Sequence, residues 1–244
     1  MISVPCRRLA RLVADGLASP RQYHSGLFHV REGYYRGRPV VVICCSGDEN
    51  VHYASVRHIA ALYRLAGALL VEPVRAVAET PGLGTVVLGT SARRYYCPTA
   101  LPGNMDGIDD LVFRGEALRQ WLAEPPVAAA MEAIDRLAAG SREIVGGGAL
   151  CQDLVPVRVG SSARPLRGWR AAEFVRTHFE IDVVDTGAFG FLRACSDVSI
   201  AGCVLGVVTE ACSTPNGERL GRRRIGNILR SAALQAADFL PRHH

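Results

Sequence analysis

The chain has 244 residues, 49% of them hydrophobic and 21% charged, which is enough for one large core and too little for two comfortable domains. It holds no lysine, so its 28 basic residues are all arginine, and Schiff-base and P-loop chemistry are excluded. The net charge of +5 is compatible with an anionic ligand or RNA, and no apolar run approaches the ~20 residues that cross a bilayer.

The N-terminal stretch carries Arg7, Arg8 and Arg11 with no acidic residue before Asp15. That pattern suits either a surface helix or a mitochondrial transit peptide. The eight cysteines include no C-x-x-C pair, so the chain reads as a reduced, cytoplasmic protein with the mitochondrial matrix as the alternative.

In chain order, Arg7–Leu17 reads as a helix, Ala18–Ser25 as a connection, Leu27–Tyr35 as a strand and Tyr35–Pro39 as a turn. Val40–Cys45 is a buried strand, followed by the loop Ser46–Asn50 and a helix whose buried face is Val56, Ile59, Leu62, Tyr63 and Ala66. Ala68–Val71 and Thr85–Gly89 are short strands, and Arg93–Asp110 is irregular. Arg114–Ala123 and Val127–Ala139 read as helices, Glu143–Leu150 as a strand containing Gly146, Gly147 and Gly148, and Gln152–Gly168 as a long loop. Ala171–Phe179 is a helix, Ile181–Val184 a strand, Gly187–Cys195 a helix and Cys203–Thr209 the last buried strand. A terminal helix then runs to about Leu240, burying Ile225, Ile228, Leu229 and Ala232. The alternation predicts one α/β domain over residues 1–244, a three-layer αβα sandwich on a central mixed sheet, with its site at the carboxyl ends of strands.

The order and spacing of these pieces resemble the nucleoside phosphorylase family, in particular its uridine phosphorylase branch. The stretches that carry the resemblance are Tyr34–Val42, which is similar to the hairpin before the family's glycine-rich strand, and Val183–Cys195 with Gly202–Glu210, which are similar to its ribose-binding helix and the following strand. The resemblance implies cleavage of an N-glycosidic bond by phosphate or water, with no cofactor and with phosphate as a co-substrate only if the chain is active. Family dimers imply a homodimer or a paralogous subunit, and the implied ligand is a nucleoside-like small molecule.

The family's phosphate-holding motifs match Ser3–Arg7, Ser46–Asn50 and Leu70–Val74, of which only Pro5, Arg7 and Gly47 fit. Asp48, Glu49 and Glu72 add negative charge where phosphate would sit. The ribose-binding glutamate is matched by Thr186, which follows Asp185, and the base-protonating pair by Thr209-Glu210. Gln152 and Arg158 fall in the region that reads the base edge in uridine phosphorylases, at a different spacing.

These residues also have plain readings. Arg7 can be the solvated face of its helix, Glu210 can cap a turn, and Arg222, Arg223 and Arg224 can face solvent or touch RNA. No histidine pair has metal spacing and no serine stands in a nucleophile motif, so no metal site is expected. On these grounds the chain is expected to be a nucleoside phosphorylase-fold protein that has lost phosphorolysis and serves as a non-catalytic binding or structural subunit. The alternatives are a nucleosidase or phosphorylase for an unusual nucleoside, with Glu210 as acid and Asp185 as ribose ligand, and an RNA-associated protein.

Overall fold

The computed structural model describes residues 1–45, 47–79, 81–95, 113–114, 155–162, 166, 169–212 and 218–237. The chain opens with β1 (Ile2–Val4) and α1 (Arg7–Ala14), then forms an antiparallel meander of β2 (Ala18–Ser25), β3 (Phe28–Tyr35) and β4 (Arg38–Cys44). The β3–β4 turn places Arg36 at φ 49° and Gly37 at φ 78°, the positive-φ pair that matches hairpin twist. There follow α2 (Glu49–Leu62), β5 (Gly67–Ala76), β6 (Val86–Arg94), β7 (Phe113–Arg114) and β8 (Val155–Ser161). The chain continues with α3 (Trp169–Phe179), β9 (Val183–Asp185), α4 (Ala188–Asp197), β10 (Ala201–Ala211), β11 (Glu218–Arg219) and α5 (Arg222–Ala237).

Among the described residues, all eleven strands belong to one mixed sheet. β5 pairs with β10, β10 with β6, β6 with β8, β8 with β9, and β9 returns to β5. The sheet therefore closes into a small five-stranded barrel, with β1, β4, β3 and β2 extending from it. Cys203–Thr209 lies inside β10, between β5 and β6, as a fully apolar strand should.

Side chains alternate across the barrel wall. Val74, Ala76, Val87, Val157, Val159, Val183, Val204 and Val208 fill the inner face and join the core under α2 and α4. Leu69, Val71, Val86, Leu88, Leu205 and Val207 face outward beneath α1 and α5, which bury Leu9, Val13, Ile228 and Leu229. A third cluster packs α3 against Val77, Ile181 and Val184. The sandwich expected from the sequence is present, with its sheet curled into a barrel.

Four local expectations are corrected. Ala18–Ser25 is a strand, not a connection; its residues are mostly exposed, so no apolar alternation marked it. The segment read as a long loop contains β8, whose pairing to β6 and β9 supplies the order that composition did not show. Arg114 belongs to a strand and does not start a helix. α2 ends at Leu62, so Tyr63 is its extended C-cap and Ala66 lies beyond it; His52 and Ser55 join Val56 and Ile59 on the buried face.

The remainder of the helix expected over 114–123, the helix over 127–139, the strand over 143–150 with its three glycines, Gln152, and His243 and His244 lie outside the described residues. Among the described residues no helix is long and apolar enough to cross a membrane.

Candidate functional site at the mouth of the barrel

The N-termini of α2 and α4 meet over one end of the barrel. Each is held by an aspartate, because the first backbone amides of a helix have no partner within it. Asp48 accepts from the amides of Asn50 and Val51 at 3.0 and 3.3 Å. Asp185, the last residue of β9, accepts from Gly187 and Ala188 at 3.1–3.3 Å. The helices approach so closely that a Cβ on Gly190 would run into the Glu49 carbonyl, and one on Gly187 would overlap the His52 ring.

Beneath this junction the inner face of the wall is polar. The Ser161 hydroxyl donates to Asp185 Oδ1 at 2.5 Å and accepts from the Phe189 amide at 2.9 Å. Glu72, on β5 between the inward-facing Leu70 and Val74, is fully buried and hydrogen-bonded to Asp185. Burial pushes the Glu72 carboxyl well above its ordinary range, and the neighbouring Asp185 charge and hydrogen bond push the same way. Glu72 is thus held toward its neutral, proton-carrying form, as burial beside a second carboxyl group requires.

His52 borders the pair. Burial holds its ring below the usual histidine range, against the pull of Asp185 and Asp48, so it is neutral. Its Nδ1, Glu72 Oε1 and Ser3 Oγ are buried with no hydrogen-bond partner among the described residues. Unsatisfied buried polar atoms such as His52 Nδ1 and Glu72 Oε1 beside Asp185 favour occupation by water or ligand.

At the rim, Arg94 grips Glu49 with two contacts, Nε to Oε2 at 2.9 Å and a terminal nitrogen to Oε1 at 2.7 Å. Its guanidinium stands 4.8 Å from the Phe189 ring centroid. Thr186 donates to the Gly47 carbonyl at 3.2 Å, which ties the loop before α4 to the loop before α2.

Of the residues expected from the sequence, Asp185, Thr186 and Gly47 come together here. Glu210 does not join them. A register shift between Val208 and Glu210 turns its side chain outward, where Oε2 faces Arg75 at 3.4 Å and Oε1 accepts from Arg219 at 3.1 Å. Asp185 points to the opposite face of the wall. Arg158 is also outside, bound to Glu180 and Asp182, and Arg7 is exposed on the first turn of α1.

The crowd of negative charge expected to repel phosphate is corrected as well. Asp48 is spent on a helix cap, Glu49 is paired with Arg94, and Glu72 is neutral. Sequence reasoning missed Ser161, His52 and Arg94, because their roles depend on partners far away in the chain.

No protein-family model matches the sequence, and no curated protein matches it. Solved structures do match. A futalosine hydrolase mutant of Helicobacter pylori superposes with a TM-score of 0.67 at 10% identity, covering 97% of this chain and 96% of that one. A 5'-methylthioadenosine/S-adenosylhomocysteine nucleosidase from S. pneumoniae gives 0.68 at 13% identity, covering 98% and 95%, and one from Colwellia psychrerythraea in complex with adenine gives 0.67 at 12%, covering 98% and 90%. The fold is that of the nucleoside phosphorylases.

Within that fold these matches are nucleosidases and a hydrolase rather than uridine phosphorylases. They overturn the expectation that the chain leans away from being an enzyme, since these neighbours span it almost end to end.

Proposed function

We propose that the chain is a nucleosidase that cleaves the N-glycosidic bond of a nucleoside with water as the nucleophile. The observation that carries this reading is the Glu72–Asp185 pair, a proton-bearing acid fixed against a carboxylate at the mouth of a barrel of nucleoside-phosphorylase type. A buried carboxyl group kept protonated by its surroundings is a usual means of supplying a general acid near neutral pH.

Water attacks C1′ and passes a proton to the free Nδ1 of neutral His52. The C1′–N bond breaks, and the Glu72 proton passes out of its hydrogen bond with Asp185 to the departing base. The oxygens of Asp185 are occupied by Ser161, Glu72 and the α4 amides, so it holds Glu72 and the helix in place, and the ribose hydroxyls fall to Thr186 and the Gly47 backbone. Glu210 is not the proton donor, since both its oxygens are engaged by guanidinium groups.

Water is preferred to phosphate because the matching motif positions offer no anion grip: Ser3 is buried on β1, Leu70 is aliphatic, and Arg94 is already committed to Glu49. Closed two-fold pairing with a second copy belongs to the same proposal, as the commonest soluble assembly. 5'-Methylthioadenosine, futalosine and uridine, each with and without phosphate, form the test panel in a thermal-shift assay. A bound nucleoside at a hundred times its Kd adds about 2.7 kcal/mol of stability. The reading requires a rise in Tm with a nucleoside alone, lost in Thr186→Val; no rise with any of the three would oppose it.

A further inference from the structure

α1 and α5 lie side by side on the outer face of the sheet, their apolar faces buried in one shared cluster. What remains outside on the two neighbouring helices is rich in arginine. Arg7, Arg8 and Arg11 on α1, and Arg223, Arg224 and Arg230 on α5, are all exposed. Neither helix contains an aspartate or glutamate within its bounds, and the exposed Asp15 stands at the C-cap of α1. The positive field continues onto the sheet, where His29 is held below its usual range, first by desolvation and then by Arg7, His24 and Arg31, with no acidic group among the causes.

A face of this chemistry selects its partner. Its apolar residues are turned into the core, so it offers no apolar anchor to a lipid bilayer and no desolvated hot spot to a protein. Guanidinium groups match phosphate oxygens in a planar, two-pronged geometry. A row of them on convex helices, with no exposed aromatic on either helix for base stacking, suits a repeating phosphodiester chain read without regard to sequence.

We propose that the face formed by α1 and α5 binds the phosphate backbone of a nucleic acid, RNA or DNA, independently of nucleoside cleavage. The barrel mouth lies under α2 and α4, across the sheet from this strip, so the two sites can be altered separately.

Fluorescence anisotropy with labelled 30-nucleotide single strands of RNA and of DNA, titrated with the full chain between 50 and 200 mM salt, tests it. Six phosphate contacts predict a log–log salt slope of about −4 for a single strand, or about 250-fold weaker binding at the higher salt. Arg223→Gln/Arg224→Gln/Arg230→Gln should reduce the slope by about 2, Arg8→Gln/Arg11→Gln by about 1, and Arg57→Gln/Arg193→Gln on the α2–α4 side should leave it unchanged. Equal slopes for RNA and DNA would show backbone recognition, and a preference for RNA would place the 2′-hydroxyl in the contact. Absence of binding at 50 mM salt, an unchanged slope in the α5 variant, or equally tight binding of poly-glutamate would overturn the proposal. Because the α5 arginines are remote from the barrel mouth, loss of RNA binding with unchanged nucleoside binding separates this result from any failure of the nucleosidase reading.

Discussion

Glu72 donates a buried hydrogen bond to Asp185, joining the middle of β5 to the end of β9 and, through the amides of Gly187 and Ala188, to the start of α4. A proton, a helix terminus and the closure of the barrel are thereby linked, so the state of the proton is visible in stability as well as in chemistry.

Stability should depend on pH through Glu72. The folded chain keeps the proton, whereas the unfolded chain releases it above the ordinary value of 4.5. The contribution is therefore complete below pH 4.5 and is lost as pH rises toward the folded value. His52 acts in the opposite sense: neutral when folded, its contribution is present above the ordinary 6.5 and lost as pH falls. The slopes overlap, so the difference between wild type and Glu72→Gln isolates the first. Melting curves from pH 4 to 8 should show the variant gaining on wild type as pH rises; parallel curves would mean Glu72 is ionised when folded.

Ser161→Ala should destabilise the chain by about 1–3 kcal/mol, the cost of leaving buried polar groups unpaired. The hydroxyl serves two buried partners, donating to Asp185 and accepting from the Phe189 amide. Urea midpoints at pH 7 measure it, and an unchanged midpoint would show that water replaces the hydroxyl.

Gly190→Ala should cost about 1–3 kcal/mol or more, as overpacking does when the obstacle cannot turn aside. The obstacle is the Glu49 backbone carbonyl. Gly187→Ala, which meets the His52 ring, should lower nucleoside binding along with stability. Denaturant midpoints for both, beside a nucleoside titration, would reveal a junction looser than described if either variant matched wild type.

Much of this architecture could be read from the residues, because Val40–Cys45, Ala68–Val71 and Cys203–Thr209 are short, mostly apolar runs that read as buried strands. Asp185, Thr186 and Gly47 were singled out by the resemblance to nucleoside phosphorylase motifs, and they lie together in the structure. Which way a side chain faces was less legible. Counting by twos from Val87 puts Arg93 inside and Arg94 outside, and counting from Val204 puts Glu210 inside. Register shifts after Gly89 and Val208 reverse both, since one extra residue flips every later side chain. Glu72 read as an added charge because its neutrality depends on Asp185, more than a hundred positions away.

Glu210→Gln should leave nucleoside turnover within about threefold of wild type and stability within about 1 kcal/mol, the range of partly exposed ion pairs. Its contacts are Arg75 and Arg219 on the outer wall. Steady-state kinetics and a urea midpoint test this. Loss of turnover with an unchanged midpoint would move the proton donor from the inner face to the outer one.

The central claim is tested most directly by incubating the chain with an adenine nucleoside in phosphate-free buffer and following release of adenine and of reducing sugar, then repeating the assay in 10 mM phosphate. The account predicts adenine and free sugar in equal amounts at a rate that phosphate does not change, with turnover reduced at least about a hundredfold, the lower range for loss of one general acid, in Glu72→Gln. Release only in the presence of phosphate, with sugar 1-phosphate as the product, or full turnover in Glu72→Gln, would contradict it.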